Sequence, residues 1–169
     1  LLEYLSVDES KGIDLKSGSV NDCLNSCITF ANNVTRHMNN NKYMYFEISS
    51  DIHDINSKTF TLNFDYYIYD NKIIIPEEKY SQKNAITIKV SNGKIVSYKQ
   101  IFATYIPTGE LISCGSAIEA IDQLDTYEDI VSDIFIAYKY NKDIRTWMPL
   151  WNIEDSKGNI TTISPNKEV

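Results

Sequence analysis

A chain of 169 residues, 43% hydrophobic and 23% charged, is long and apolar enough to bury a core without disulfide or metal staples. Its 16 basic and 23 acidic side chains give a formal net charge of −7. Lys89, Lys94, Lys99, Lys139, Lys142 and Arg145 are scattered among acids, which argues against nucleic acid or an anionic membrane surface as partner. No run approaches the ~18–20 apolar residues of a membrane span, and no signal peptide is present. The opening Leu1-Leu2-Glu3, without Met, is what a fragment cut from behind a signal or anchor looks like.

In chain order, residues 1–18 read as polar and irregular, with one short strand or helical turn at 2–7. Ser19 then caps a helix over 19–38. Val20, Leu24, Cys27, Ile28, Ala31 and Val34 recur on one face, and Asp22 favours the positive N-terminal end. Asn39-Asn40-Asn41 ends it. Residues 43–50 read as a strand, 51–58 as a turn, and 59–69 as a half-buried strand that alternates Phe60, Leu62, Phe64 and Tyr66 with polar residues. Asp70-Asn71 predicts a tight turn into a strand over 72–75. Strands over 85–90 and 94–104 flank Asn92-Gly93, the dipeptide that best accepts two positive φ angles in a type I′ hairpin turn. Pro107-Thr108-Gly109 breaks the chain. A second helix over 113–125 follows, with Ser116 and Glu119 spaced as a capping box and Ala117, Ile118, Ile121 and Leu124 as its apolar face. Strands are expected over 133–141, 146–154 and 159–163.

A helix followed by antiparallel strands, twice over, predicts an α+β fold of two helix-plus-antiparallel-sheet units, 19–106 and 107–163, after an irregular segment 1–18 and before a loose tail 164–169.

The residues offer little for catalysis. Cys23, Cys27 and Cys114 are too few, and odd in number, for a disulfide scaffold; Cys23 and Cys27, four apart on a helix, have Cβ directions that suit a disulfide poorly. All three read as free thiols packed as small apolar groups. Cys114, opening the second helix beside Gly115, is the best nucleophile the chain has, but no His has the spacing of a partner. His37 sits near a helix end, and His53 lies between Asp51 and Asp54 in a turn without a third ligand. Glu77-Glu78 and Glu128-Asp129 read as solvated pairs, since adjacency in sequence does not make two acids face one cleft. No glycine-rich phosphate loop is present among 6 glycines. No metal, cofactor or catalytic set is expected.

The aromatic residues say more. Trp147, Pro149, Trp151 and Ile153 share one strand face, and Tyr138 and Tyr140 share a face on the strand before. Trp and Tyr dominate interface hot spots, so this stripe suits a partner. It also suits a core beneath the second helix, the reading Trp151 favours, while Trp147, nearer the hairpin turn, fits either, and both readings stay open.

Four blocks of the C-terminal half carry a family resemblance: Gly93-Lys94-Ile95-Val96-Ser97-Tyr98-Lys99-Gln100; Glu110-Leu111-Ile112-Ser113 with Ala117-Ile118-Glu119-Ala120-Ile121; Asp133-Ile134-Phe135-Ile136-Ala137-Tyr138; and Met148-Pro149-Leu150-Trp151-Asn152-Ile153, closed by Gly158. In order and spacing they resemble the YycI family within the YycH/YycI superfamily of Gram-positive regulatory proteins. The match covers 85–163, and the Pro-x-Trp strand is also similar to PepSY-type domains. The resemblance implies an N-terminal membrane helix not contained in this chain and a domain on the extracellular face of the cytoplasmic membrane. It implies control of a sensor histidine kinase of a cell-wall two-component system, together with a YycH-like partner, and no catalytic residues. The alternative expectation is a PepSY-like secreted accessory domain that inhibits or chaperones a hydrolase. The expected contact residues are Trp147, Trp151, Tyr98, Gln100 and Tyr138.

Overall fold

The computed structural model describes residues 2–5, 12–15, 19–36, 44–49, 59–76, 80, 82–101, 105–106, 108–124 and 131–163. His37, His53, Glu77-Glu78, Glu128-Asp129 and the tail lie outside them. In chain order the elements are β1 (Leu2–Leu5), β2 (Ile13–Asp14), α1 (Val20–Arg36), β3 (Met44–Ile48), β4 (Thr59–Ile68), β5 (Asn71–Ile74), β6 (Ile86–Ser91), β7 (Lys94–Gln100), α2 (Ala117–Ile121), β8 (Val131–Asn141), β9 (Thr146–Asp155) and β10 (Ile160–Ile163).

The expectation of two α+β units is corrected by the pairing. The ten strands among the described residues form one mixed sheet in the order β1-β7-β6-β4-β5-β8-β9-β10, with β2 also on β7 and β3 also on β4. The join is parallel: Lys72, Ile73 and Ile74 of β5 lie opposite Ala137, Tyr138 and Lys139 of β8. Among the described residues there are two helices, one of five residues, so the architecture is predominantly β. A parallel pair between segments more than sixty positions apart leaves no turn signal in the sequence, which is why the halves looked independent.

β4 organises the sheet. Phe64 lies opposite both Ile48 and Ile86, and Tyr67 opposite both Tyr45 and Lys72. A residue's two partners occupy opposite edges of its strand. So β3 takes one edge of β4, while β6 and β5 share the other, end to end. The sheet forks there. Asp65 lies at the fork, 3% exposed, and is held by Lys72 Nζ at 2.7 Å and Asn84 Nδ2 at 3.0 Å. Burying a carboxylate requires such partners.

Alternation along β4 puts Phe60, Leu62, Phe64, Tyr66 and Ile68 on one face, beside Ile86, Ile88, Val90, Ile95 and Tyr98 of β6 and β7. α1 covers this face through Cys27, Ala31, Leu24, Ile28 and Phe30. Each fully buried Ile or Leu there contributes about 1.5–3 kcal/mol. Ser19 and Asp22 cap α1 reciprocally: the Ser19 amide donates to Asp22 at 2.7 Å, and the Asp22 amide to Ser19 Oγ at 3.3 Å. Because Ile73 pairs with Tyr138, the same face continues across β8 and β9, where α2 packs Ala120 over Ile153 and Ile163. Both helices therefore sit on one side of one sheet.

Local turn chemistry follows the sequence closely. Asn92 and Gly93 have φ of 49° and 75°, the type I′ pattern. The β4–β5 turn falls one residue earlier than expected, at Tyr69 and Asp70 with φ of 48° and 64°; Ile68 then pairs directly with Asn71. The capping box of α2 is present, Ser116 Oγ accepting from the Glu119 amide at 3.2 Å and Glu119 from the Ser116 amide at 2.7 Å. The helix is shorter than the expected 113–125, because Gly115 at φ 69° holds the preceding chain out of helical geometry. The segment 1–18 contributes β1, within the short strand or helical turn expected at 2–7, and β2, in a stretch expected to be irregular, to the β7 edge.

Candidate functional site

The expected contact residues separate into two groups. Tyr98 and Gln100 are 1% and 0% exposed and lie in the core under α1. The Tyr98 hydroxyl donates to Gln100 Oε1 at 2.6 Å, and Gln100 Nε2 donates to Thr35 Oγ1 at 3.0 Å and to the Tyr66 hydroxyl at 2.5 Å. This network ties the end of α1 to β4 and β7. Burial pushes the Tyr66 hydroxyl up to about 12 and raises Tyr98 as well, so both stay neutral, Tyr98 as donor and Tyr66 as acceptor in this network. As the chain is folded, neither Tyr98 nor Gln100 presents a surface to a partner. The alternation of β7 allowed either face to be outward, and only the position of α1 decides it.

Trp147, Trp151 and Tyr138 are half-buried on the β8–β9 hairpin. Cross-strand pairing sets Tyr140 opposite Trp147, Tyr138 opposite Pro149 and Ile136 opposite Trp151, so their side chains share the helix-bearing face. The connector between β7 and α2 seats itself on this stripe. The Tyr105 ring meets Trp147 edge-on at 5.3 Å, and Tyr140 lies 5.5 Å from Trp147 on its strand neighbour. Cys114 Sγ donates to the Pro149 carbonyl at 3.3 Å, and Trp151 Nε1 donates to the Gly115 carbonyl at 3.4 Å. Trp147, Pro149 and Trp151 thus each hold one residue of the connector. The stripe is in part a seat for the chain's own segment.

Sequence reasoning missed what the connector does with its other side. Ile106 is 80% exposed, Leu111 is fully exposed, and Ile118 is 72% exposed. Ile118 was expected on the buried face of its helix. Instead Ala120, Ile121 and Leu124 turn toward β9, and Ile118 points away. The one signal available was spacing: 117, 120, 121 and 124 make a tighter helical stripe than one that includes 118.

The thiols are not activated. Burial raises Cys114 and Cys23 and pushes Cys27 up to about 12, the reverse of what a nucleophile needs. All three are free. Among the described residues no three His, Cys, Asp or Glu side chains converge as metal ligands. A groove of about 590 Å³ runs between α1 and the β2–β7 edge, with Phe30, Leu15 and Ile95 beside Asn25, Ser26, Thr29 and Asn33. Among the described residues no helix is long and apolar enough to cross a membrane. No protein-family model matches the chain, and no curated protein matches it.

Proposed function

We propose that this chain is a non-catalytic regulatory domain on the extracellular face of a membrane, anchored by a helix outside this chain. It acts by binding a sensor histidine kinase of a cell-wall two-component system, with a YycH-like protein as a further partner. A binding domain biases such a sensor by preferring one of its conformations. The observation that carries the reading is the β8–β9 side of the sheet. Half-exposed Tyr138, Trp147 and Trp151 lie beside a connector that displays Ile106 and Leu111 to solvent. Aromatic side chains in such a setting supply contact area at low entropic cost. The YycI-like blocks coincide with β7, the connector with α2, β8 and β9, so the resemblance and the surface fall on the same part of the chain.

Crosslinking in membranes followed by pull-down of the tagged full-length protein, read by mass spectrometry, tests this. Recovery of a histidine kinase or a YycH-like protein supports it. Recovery of a secreted hydrolase alone replaces it with the accessory-domain reading.

A further inference from the structure

We propose that the outward side of the connector and α2, centred on Ile106, Leu111 and Ile118, docks a cationic amphipathic segment of a partner protein. The inference rests on the reading that the domain works by binding protein.

Geometry supplies the first half. Scattered exposed apolar residues are normal, but these three fall within thirteen positions of a segment pinned from beneath. The contacts of Tyr105, Cys114 and Gly115 with β9 fix which side faces the sheet. Leu111 and Ile118 are thereby held in solvent by a backbone that already has its inward anchors. Such residues gain only by being covered from outside.

Charge supplies the occupant. Residues 101–138 contain seven acidic side chains and no Lys or Arg. The rest of the chain holds 23 − 7 = 16 acids and 16 bases; of the seven, Glu110, Glu119 and Asp122 are the ones that the described residues of the connector, α2 and the turn after it carry, with no base among them. Glu110 adjoins Leu111, and Asp122 lies one helical turn from Ile118; both carboxylates are exposed. A second copy would bring acid against acid, and an anionic bilayer would be repelled. A segment with Lys or Arg flanking an apolar stripe satisfies both features at once.

The test is fluorescence anisotropy of the full chain with a labelled Lys/Leu peptide whose apolar residues follow helical spacing. Controls are a scrambled peptide of the same composition and a Glu/Leu peptide. The amphipathic Lys/Leu peptide is expected to bind saturably and to weaken with salt. Leu111→Ser combined with Ile118→Ser should weaken it roughly tenfold or more, with circular dichroism and Tm unchanged. Ile144→Ser, at the exposed β8–β9 turn, should change nothing. Equal binding of the scrambled or Glu/Leu peptide overturns the proposal, as does an absence of saturable binding. Self-association of the wild type that Leu111→Ser abolishes would assign the surface to a second copy instead. Peptide docking without kinase recovery in the pull-down would leave this surface standing and remove the kinase reading; kinase recovery insensitive to Leu111→Ser would do the reverse.

Discussion

Replacing Gln100 by Leu keeps the side-chain volume near constant and removes three hydrogen bonds, two of them buried and the one to Thr35 part-buried. The Tyr98 hydroxyl loses its acceptor at 2.6 Å, and the Thr35 and Tyr66 hydroxyls lose their donor. A buried group left unsatisfied costs about 1–3 kcal/mol, and a lost neutral hydrogen bond about 1. The Tyr98 donor and the two acceptors together give roughly 3 kcal/mol. At about 2–4 °C per kcal/mol for a chain of this size, Tm should fall by about 6–12 °C. Adding Tyr98→Phe removes the stranded donor and should return about 1–2 kcal/mol, a coupling that a double-mutant cycle in urea would measure. The affinity of the folded fraction for its partner should not change, because both residues lie beneath α1. A Tm within about 2 °C of wild type, or a partner affinity that falls while stability holds, would refute the core assignment of Tyr98 and Gln100.

Other outcomes follow from single contacts. Lys72→Ala leaves the buried Asp65 carboxylate at the fork without its counter-charge and with Asn84 as its remaining partner, and should cost about 2–4 kcal/mol by urea unfolding, after allowing for the partial exposure of the lysine; Asp65→Asn combined with it should recover part of the loss. Asp155 accepts from the Lys157 and Asn159 amides and from the Asn159 side chain, which lower its pKa from 3.8, the Asn159 side chain most. A depressed folded pKa means that the β9–β10 turn is fully supported above 3.8 and loosens as pH falls through the folded value. Amide exchange at 157 and 159 should therefore gain protection-loss at low pH that Asp155→Asn abolishes. Alkylation by iodoacetamide at neutral pH should label Cys114 more slowly than a fully exposed thiol, and Cys27 only on unfolding; rapid labelling of Cys114 would mark it as an activated nucleophile.

Much of the local structure was legible because local chemistry decides it. Alternation placed β4, β6, β8 and β9 within a residue or two. Asn92-Gly93 fixed one hairpin, and Ser116 with Glu119 marked the start of α2. What sequence could not show was decided between distant segments. The parallel β5–β8 pair merges two apparent units into one sheet, and the shared edge of β4 forks it. The seat of α1 turns Tyr98 and Gln100 inward, although β7 alone permits either face. The aromatic stripe was visible as a stripe, but its first neighbour is the chain's own connector, held through Tyr105, Cys114 and Gly115, whose spacing carries no pattern.

The most direct test of the partner-binding account is photo-crosslinking from position 111 of the full-length protein in membranes, with position 160 on β10 as control. The account predicts a covalent product with a histidine kinase from 111, through a basic segment of that protein, and little from 160. Equal yields at the two positions, or a product only with a soluble hydrolase, would contradict it.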